Sequence, residues 1–251
     1  MVKRTYNILL NNHIVSKANG NGERSILLVS DIELMKRHVN VLFKKDHNNR
    51  MTFVNEPPNE AAPRIFIGGT QLGNVVRYSN ALEENVIKKL ERSIHADFAI
   101  DLAEIITILN TDRQISNFWT GPAFVFPDVS SITTKAIRIT DFNKDCLKQN
   151  FPYIYEELKY KQPCFAIIED EAAVSVCCSV RQTNEAAEAS LATFETYRGR
   201  AYAIDASIAW AAEIQSQGLL ALYSTSWDNF ASQSVARKLH LIQYGTDIHM
   251  K

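Results

Sequence analysis

Apolar side chains recur at three- and four-residue intervals over 31–43, DIELMKRHVNVLF, and this spacing predicts a helix starting near Asp31. Before it, SILLV at 25–29 reads as a strand; after it, KKDHNNR is a polar turn and MTFV a short strand. The prolines of NEPPNEAAP, 55–63, mark a loop, and RIFIGG follows as a strand ending in glycine. In EENVIKKLERSI, 83–94, Val86, Ile87, Leu90 and Ile94 share one face and the charges another, which predicts an amphipathic helix. Residues 117–132, NFWTGPAFVFPDVSSI, keep no period and read as an irregular, packed aromatic connection between two halves.

The second half is more regular. Residues 143–150 and 153–160 read as short helical pieces. CFAIIED (164–170) and AAVSVCCSVR (172–181) predict a hairpin, and EASLATFET (188–196) a third strand. Their imperfect alternation suits a sheet covered on both faces. In 201–217, Ile204, Ile208, Ala211, Ala212 and Ile214 share a broad helical face, and Gly218 is a natural terminator. LLALYSTS (219–226) is a further strand, Asp228 or Asn229 caps a helix reaching about Leu239, and LIQYGTDIHM (241–250) closes the chain as a strand. The expected class is α/β with a mixed sheet, divided into a smaller α/β domain over 1–125 and a second domain over 126–251.

The chain has 251 residues and 46% hydrophobic content, enough for one large domain or two modest ones. A net charge of −1 gives no support for a nucleic-acid binder or a polybasic membrane protein. No apolar run is long enough to span a bilayer. Asn11, Asn12 and His13 interrupt the opening segment MVKRTYNILLNNHIV early, so no signal peptide is expected. Cys146, Cys164, Cys177 and Cys178 form no CxxC pair, and we expect free thiols in a reducing, cytoplasmic compartment. Cys177 and Cys178 point to opposite faces of their strand, so at most one can see a substrate. The six histidines are scattered, and no metal site is expected.

Two glycine-bearing segments invite a phosphate reading. Gly68-Gly69-Thr70-Gln71-Leu72-Gly73 fails it, because Asn74-Val75 stand where Lys-Ser/Thr is needed; a turn glycine cluster is the better explanation. ETYRGRAYA, 195–203, lies where a strand becomes a helix. A helix start concentrates unpaired N–H groups and partial positive charge. Gly199 lets a ligand approach the backbone, Ala201 is small, and Arg198 and Arg200 add charge: together they suit a pyrophosphate cradle.

Thr196-Tyr197-Arg198-Gly199-Arg200-Ala201, with Asn229 and Ser232 downstream, resembles the GCN5-related N-acetyltransferase family over roughly 135–251. Its motif runs Gln/Arg-x-x-Gly-x-Gly/Ala; Thr196 departs at the first position and the other two match. APRIFIGGTQLGNVVRY and FWTGPAFVFP are similar to the amino-terminal half of a bacterial subgroup that includes antibiotic self-resistance enzymes. The resemblance implies an acyl-CoA N-acyltransferase fold in the second half, with strand 188–196 splayed from strand 219–226 and acetyl-CoA in the gap. It implies cofactor contacts from Ala192, Thr193, Phe194, Arg198, Gly199, Arg200, Ala201, Tyr202, Ala203, Asn229 and Ser232. Free amides near Ala192–Phe194 would meet the acetyl carbonyl and pantetheine arm. Two positions depart from the family: Ala236 replaces its usual tyrosine acid, and His240-Leu241 its Gly-Phe.

The expected activity is acetyl transfer to a primary amine, of a small molecule or, as the rival, of a protein. Glu188 is the expected base, its pKa raised by desolvation, with Glu195 as runner-up. Tyr223, Tyr244 and Ser234 are candidate acids, with water as an equal alternative. A non-catalytic acyl-CoA sensor or scaffold is the competing class, an amino-terminal half serving substrate recognition is a further reading, and a homodimer stays open as the assembly.

Overall fold

The apolar strands of the second half pair as their lengths and turn residues suggest, and the first half extends the same sheet. The computed structural model describes residues 12–18, 24–94 and 100–251; residues 1–11, where much of the signal-peptide reading falls, lie outside them. A hairpin, β1 (Asn12–Ala18) and β2 (Arg24–Ser30), leads into α1 (Asp31–Leu42). A small pair, β3 (Phe43–Lys45) and β4 (Met51–Val54), precedes β5 (Ile65–Thr70) and β6 (Gly73–Tyr78). Then come α2 (Glu84–Ser93), α3 (Leu102–Asp112), β7 (Phe118–Val125), β8 (Ile137–Ile139) and α4 (Pro152–Glu157). The remainder is β9 (Cys164–Glu169), β10 (Ala172–Gln182), β11 (Ala186–Thr193), α5 (Tyr202–Ser216), β12 (Leu220–Ser224), α6 (Phe230–Lys238) and β13 (Ile242–Met250).

Among the described residues, nine strands form one mixed sheet in the order β6-β5-β13-β7-β12-β11-β10-β9-β8. Its strands pair antiparallel except β11 and β12, which run parallel. The sheet continues without a break across residue 125, because β7 lies between β12 and β13. Alternation sends successive side chains to opposite faces. Ala186, Leu222, Val125 and Tyr244 pack on Leu34, Met35 and Val39 of α1. Ala187, Ala221 and Tyr223 pack on Trp210, Ala211 and Ile214 of α5. Helices α2 and α3 cover the β5 end through Leu90, Ile105 and Leu109 against Ile65 and Ile67.

Three readings of the sequence need correction. Residues 117–132 are no irregular connection: they contain β7, an interior strand. Its glycine and proline hide the strand pattern but have structural reasons. A Cβ on Gly121 would fall 1.8 Å from the Thr225 carbonyl oxygen, so only glycine admits that close approach. The Pro122 carbonyl accepts from the Thr225 amide at 3.4 Å, so the missing N–H faces the end of β12 and takes no bond from β13. Gly68 and Gly69 lie near the end of β5, as the RIFIGG strand reading has it, with the turn at Gln71-Leu72; a Cβ on Gly68 would strike the Met35 side chain. The 143–150 piece is a single 3-10 turn, Lys144–Leu147. Helix α3 went unread, although Asp101 caps it, its Oδ1 accepting from the Glu104 amide at 3.0 Å.

Candidate active site

Strands β11 and β12 stay paired for three residues, Ala186–Glu188 against Leu220–Leu222, and then diverge. The expected splay is therefore present. It leaves main-chain groups of β11 without a neighbour, and their direction follows from the ladder. The Phe194 amide donates to the Val174 carbonyl at 2.9 Å, so it is occupied. Amides alternate sides along a strand, so Ala192 also points to β10, with which it pairs at Val176. Past the last pair, Glu188 with Leu222, the amides facing the gap are those of Leu191 and Thr193. Within the expected stretch Ala192–Phe194, the Thr193 amide faces the gap, and those of Ala192 and Phe194 point to β10.

Beyond β11 the chain makes one 3-10 turn and reaches α5 through Arg198-Gly199-Arg200-Ala201. Gly199 has φ +81°, and a Cβ there would meet nothing within 4 Å, so its backbone faces open space. Ala201 also adopts the left-handed region, at φ 64°, which turns the chain into the helix. A cavity of about 600 Å³ lies against this turn, lined by Ala192, Thr193, Arg198 to Ala203, Asn229 and Ser232. Phe194 alone of the expected cofactor residues does not line it; its ring is exposed past the end of β11. Arg198, Arg200 and Lys238 give the cavity three cations beside the first amides of α5. Arg200 stacks over the Tyr197 ring at 5.0 Å, and Tyr202 Oη donates to Glu169 at 2.5 Å. The cradle fits a diphosphate ester with a long arm, the shape of an acyl-CoA.

On α6, Asn229 Oδ1 accepts from the Ser232 amide at 3.1 Å and so caps the helix. Its Nδ2 makes no hydrogen bond among the described residues. Asn229→Ala should cost about 1 kcal/mol of stability, measured as a lower urea midpoint.

A second cavity, about 480 Å³, opens at the gap and meets the first at Leu191, Asn229 and Ser232. Glu188 and Tyr223 border it, as do Glu56, Trp119, Arg181, Asp247 and His249. The sheet's two faces contribute differently: Tyr223 belongs with the α5 side, and Leu222, paired with Glu188, with the α1 side. A bulge in β10 between Ser179 and Arg181 sets Arg181 opposite Glu188.

Glu188 is buried, and both its oxygens are engaged. Ser224 Oγ donates to Oε1 at 2.5 Å and Arg181 to Oε2 at 2.8 Å. Burial alone would raise its carboxyl, but Arg181, His38 and these hydrogen bonds outweigh it and hold the group below the ordinary carboxylate range. The expected elevation is thus reversed, and Glu188 is a fixed anion rather than a ready base. Burial pushes Tyr223 up to about 12, so it keeps its proton at neutral pH. Tyr244 borders neither cavity; it is buried under α1, its hydroxyl beside His38. Ala236 is likewise buried, in the α5–α6 core. Cys177 and Cys178 lie in separate cores on opposite faces, and burial pushes Cys177 far from thiolate. All four cysteines are free.

Solved structures similar to this one are described as GCN5-related N-acetyltransferases, the family that the 196–201 and 229–232 segments resemble. A GNAT-family acetyltransferase from Novosphingobium aromaticivorans aligns over 55% of this chain and 65% of its own, at 12% identity and TM-score 0.48. One from Colwellia psychrerythraea aligns over 70% and 75%, at 10% identity and TM-score 0.46. An N-acetyltransferase-like protein from Streptococcus suis aligns over 88% and 100%, at 14% identity and TM-score 0.47. No family model and no curated protein matches the sequence. At these identities and scores the likenesses add no weight to a functional reading, which rests on the site itself.

Proposed function

We propose that the chain is an acetyl-CoA-dependent N-acetyltransferase whose acceptor is a primary amine of a small molecule. The observation that carries this reading is the meeting of the two cavities at the β11–β12 gap: a cationic cradle at Gly199 opens into an acidic cleft. Arg198, Arg200, Lys238 and the amides of 199–203 would hold the diphosphate, and the amides of Leu191 and Thr193 the arm and acetyl carbonyl. Bound acetyl-CoA would supply an acetyl thioester: as C–N forms and C–S breaks, the amine nitrogen would give up one proton and the sulfur take one up. Tyr223, protonated and bordering the cleft, is the donor this chain offers. Glu188 and Glu56 favour a cation in the cleft. The first 125 residues contribute Glu56, Trp119 and Leu42, and so take part in acceptor recognition. No helix among the described residues is long and apolar enough to cross a membrane.

The test is free-thiol release from acetyl-CoA in the presence of primary amines, alongside calorimetry with acetyl-CoA alone. Binding with amine-dependent release supports the enzyme; binding without release supports a sensor. Gly199→Val places a branched side chain at positive φ in the cradle, and should weaken acetyl-CoA binding by ~10-fold or more, about 1.4 kcal/mol. Unchanged affinity would overturn the cradle.

A further inference from the structure

The wall of the acceptor cleft contains a chain of buried polar groups that none of the sequence motifs announces. Asp247 on β13 is fully buried, its Oδ2 3.0 Å from His38 Nε2 on α1. His38 is fully buried as well, and its Nδ1 lies 2.9 Å from Tyr244 Oη. The hydrogen bond and charge of Asp247 raise the His38 pKa against burial, so the ring carries a proton on Nε2 aimed at Asp247 Oδ2 and is also the cation that helps to keep Glu188 ionised. The second oxygen, Asp247 Oδ1, is buried without a hydrogen-bond partner among the described residues. Leaving such an oxygen unpaired is costly. Asp247 borders the acceptor cleft together with Glu188. A hydrogen-bond donor on a ligand in that cleft would satisfy it.

We propose that Asp247 is the catalytic base of the acceptor site: the substrate ammonium donates to Oδ1 and leaves a proton there. The assignment rests on the acetyltransferase reading above. In this step an N–H bond of the ammonium breaks and an O–H bond forms on Oδ1. The electron pair stays on nitrogen, available to the acetyl carbonyl, and the proton then passes to solvent through the cleft. His38 and Tyr244 are positioning residues that hold Oδ2 and so direct Oδ1. The charged and titratable groups around Asp247 are His38 from α1, Tyr244 and His249 from β13, Glu188 from β11 and Arg181 from β10. Arg181 is tied to Glu188 and Glu56, which leaves Asp247 to the substrate. Burial and the Glu188 charge raise the Asp247 carboxyl, although His38 opposes them, so it accepts a proton more readily than Glu188.

The experiment compares Asp247→Asn with the unaltered chain on 2-phenylethylamine and on its β,β-difluoro analogue, an amine already neutral at assay pH. Asp247→Asn should lower kcat/KM about 100-fold with the first and less than ~5-fold with the second, because the second arrives as the free amine and needs no proton removed before it attacks. Equal losses with both amines, or none with either, overturn the assignment. Tyr244→Phe, which keeps the packing, should move the acid limb of the kcat/KM profile to higher pH; an unmoved limb counts against the relay. Independently of turnover, 2-phenylethylamine alone should shift the His38 Nε2–H signal in the NMR spectrum of the unaltered chain. The same addition should leave Asp247→Asn unshifted, and a shift of equal size in both overturns the contact. If the unaltered chain binds acetyl-CoA but acetylates neither amine, Asp247 is not the base for this acceptor class and the assignment falls. If it does not bind acetyl-CoA at all, the functional reading falls with it.

Discussion

Arg181→Ala should destabilise the protein by about 3–5 kcal/mol near neutral pH, the cost typical of breaking a buried ion pair from one side. Arg181 donates to Glu188 at 2.8 Å, lies 3.1 Å from Glu56, and is the cation that keeps Glu188 ionised inside the sheet. Without it, Glu188 has only the Ser224 hydroxyl, and burial would lift its pKa. The pH dependence should then reverse. In the unaltered chain the Glu188 carboxyl is depressed on folding, so its contribution is full above the unfolded pKa of about 4.3 and fades as pH falls through the lower folded value. In the variant the carboxyl is raised, so stability should decline as pH rises from 5 to 8. Arg181→Lys should recover little, because one ammonium cannot span both carboxylates with the reach of a guanidinium. Urea midpoints across pH measure all of this; a loss under 1 kcal/mol with an unchanged pH slope would show that Arg181 does not neutralise the site.

Gly121→Ala should cost at least ~3 kcal/mol, at or beyond the upper end of ordinary overpacking. The added methyl would lie 1.8 Å from the Thr225 carbonyl oxygen and 2.8 Å from Ser226 Cα. These are backbone atoms, so no side chain can rotate away; β7 or the segment after β12 has to move. That segment borders the second cavity at Thr225 and Ser226, so under the proposed function whatever folded protein survives should also lose amine affinity. Thermal unfolding measures the first effect and KM for the amine the second. A variant as stable as the parent would mean that the two backbones do not approach as described.

Much of the frame was legible because local chemistry and tertiary role agree. Gly218 ends α5 at positive φ, Asn229 caps α6, and the apolar runs of β9 to β13 do form strands. The cavity at Gly199 was readable because main chain makes it, and a glycine between two arginines is visible in sequence. The second cavity was not. Its polar groups come from positions 38, 56, 181, 188 and 247, brought together by sheet order rather than spacing. Glu188 was located correctly, but its charge state depends on Arg181, whose facing position follows from a β10 bulge that no pattern announces. Tyr244 carried the right chemistry for a donor, yet its hydroxyl faces His38 under α1. His38 sat on the apolar stripe of a helix, where a histidine looks like packing. β7 was missed because its glycine and proline, required by a neighbouring backbone, are the residues that usually mark a loop.

The position of β7 bears on how the molecule comes into being at the ribosome. Both strands that flank it, β12 and β13, are synthesised about a hundred residues later. Until they emerge, the nascent chain carries an aromatic strand with two open edges, and only distant pairing can close them. Such long-range closure slows folding and exposes sticky edges to other chains. Nascent chains halted before Ile242 should therefore associate with holding chaperones and resist release, whereas chains extended past Met250 should let go.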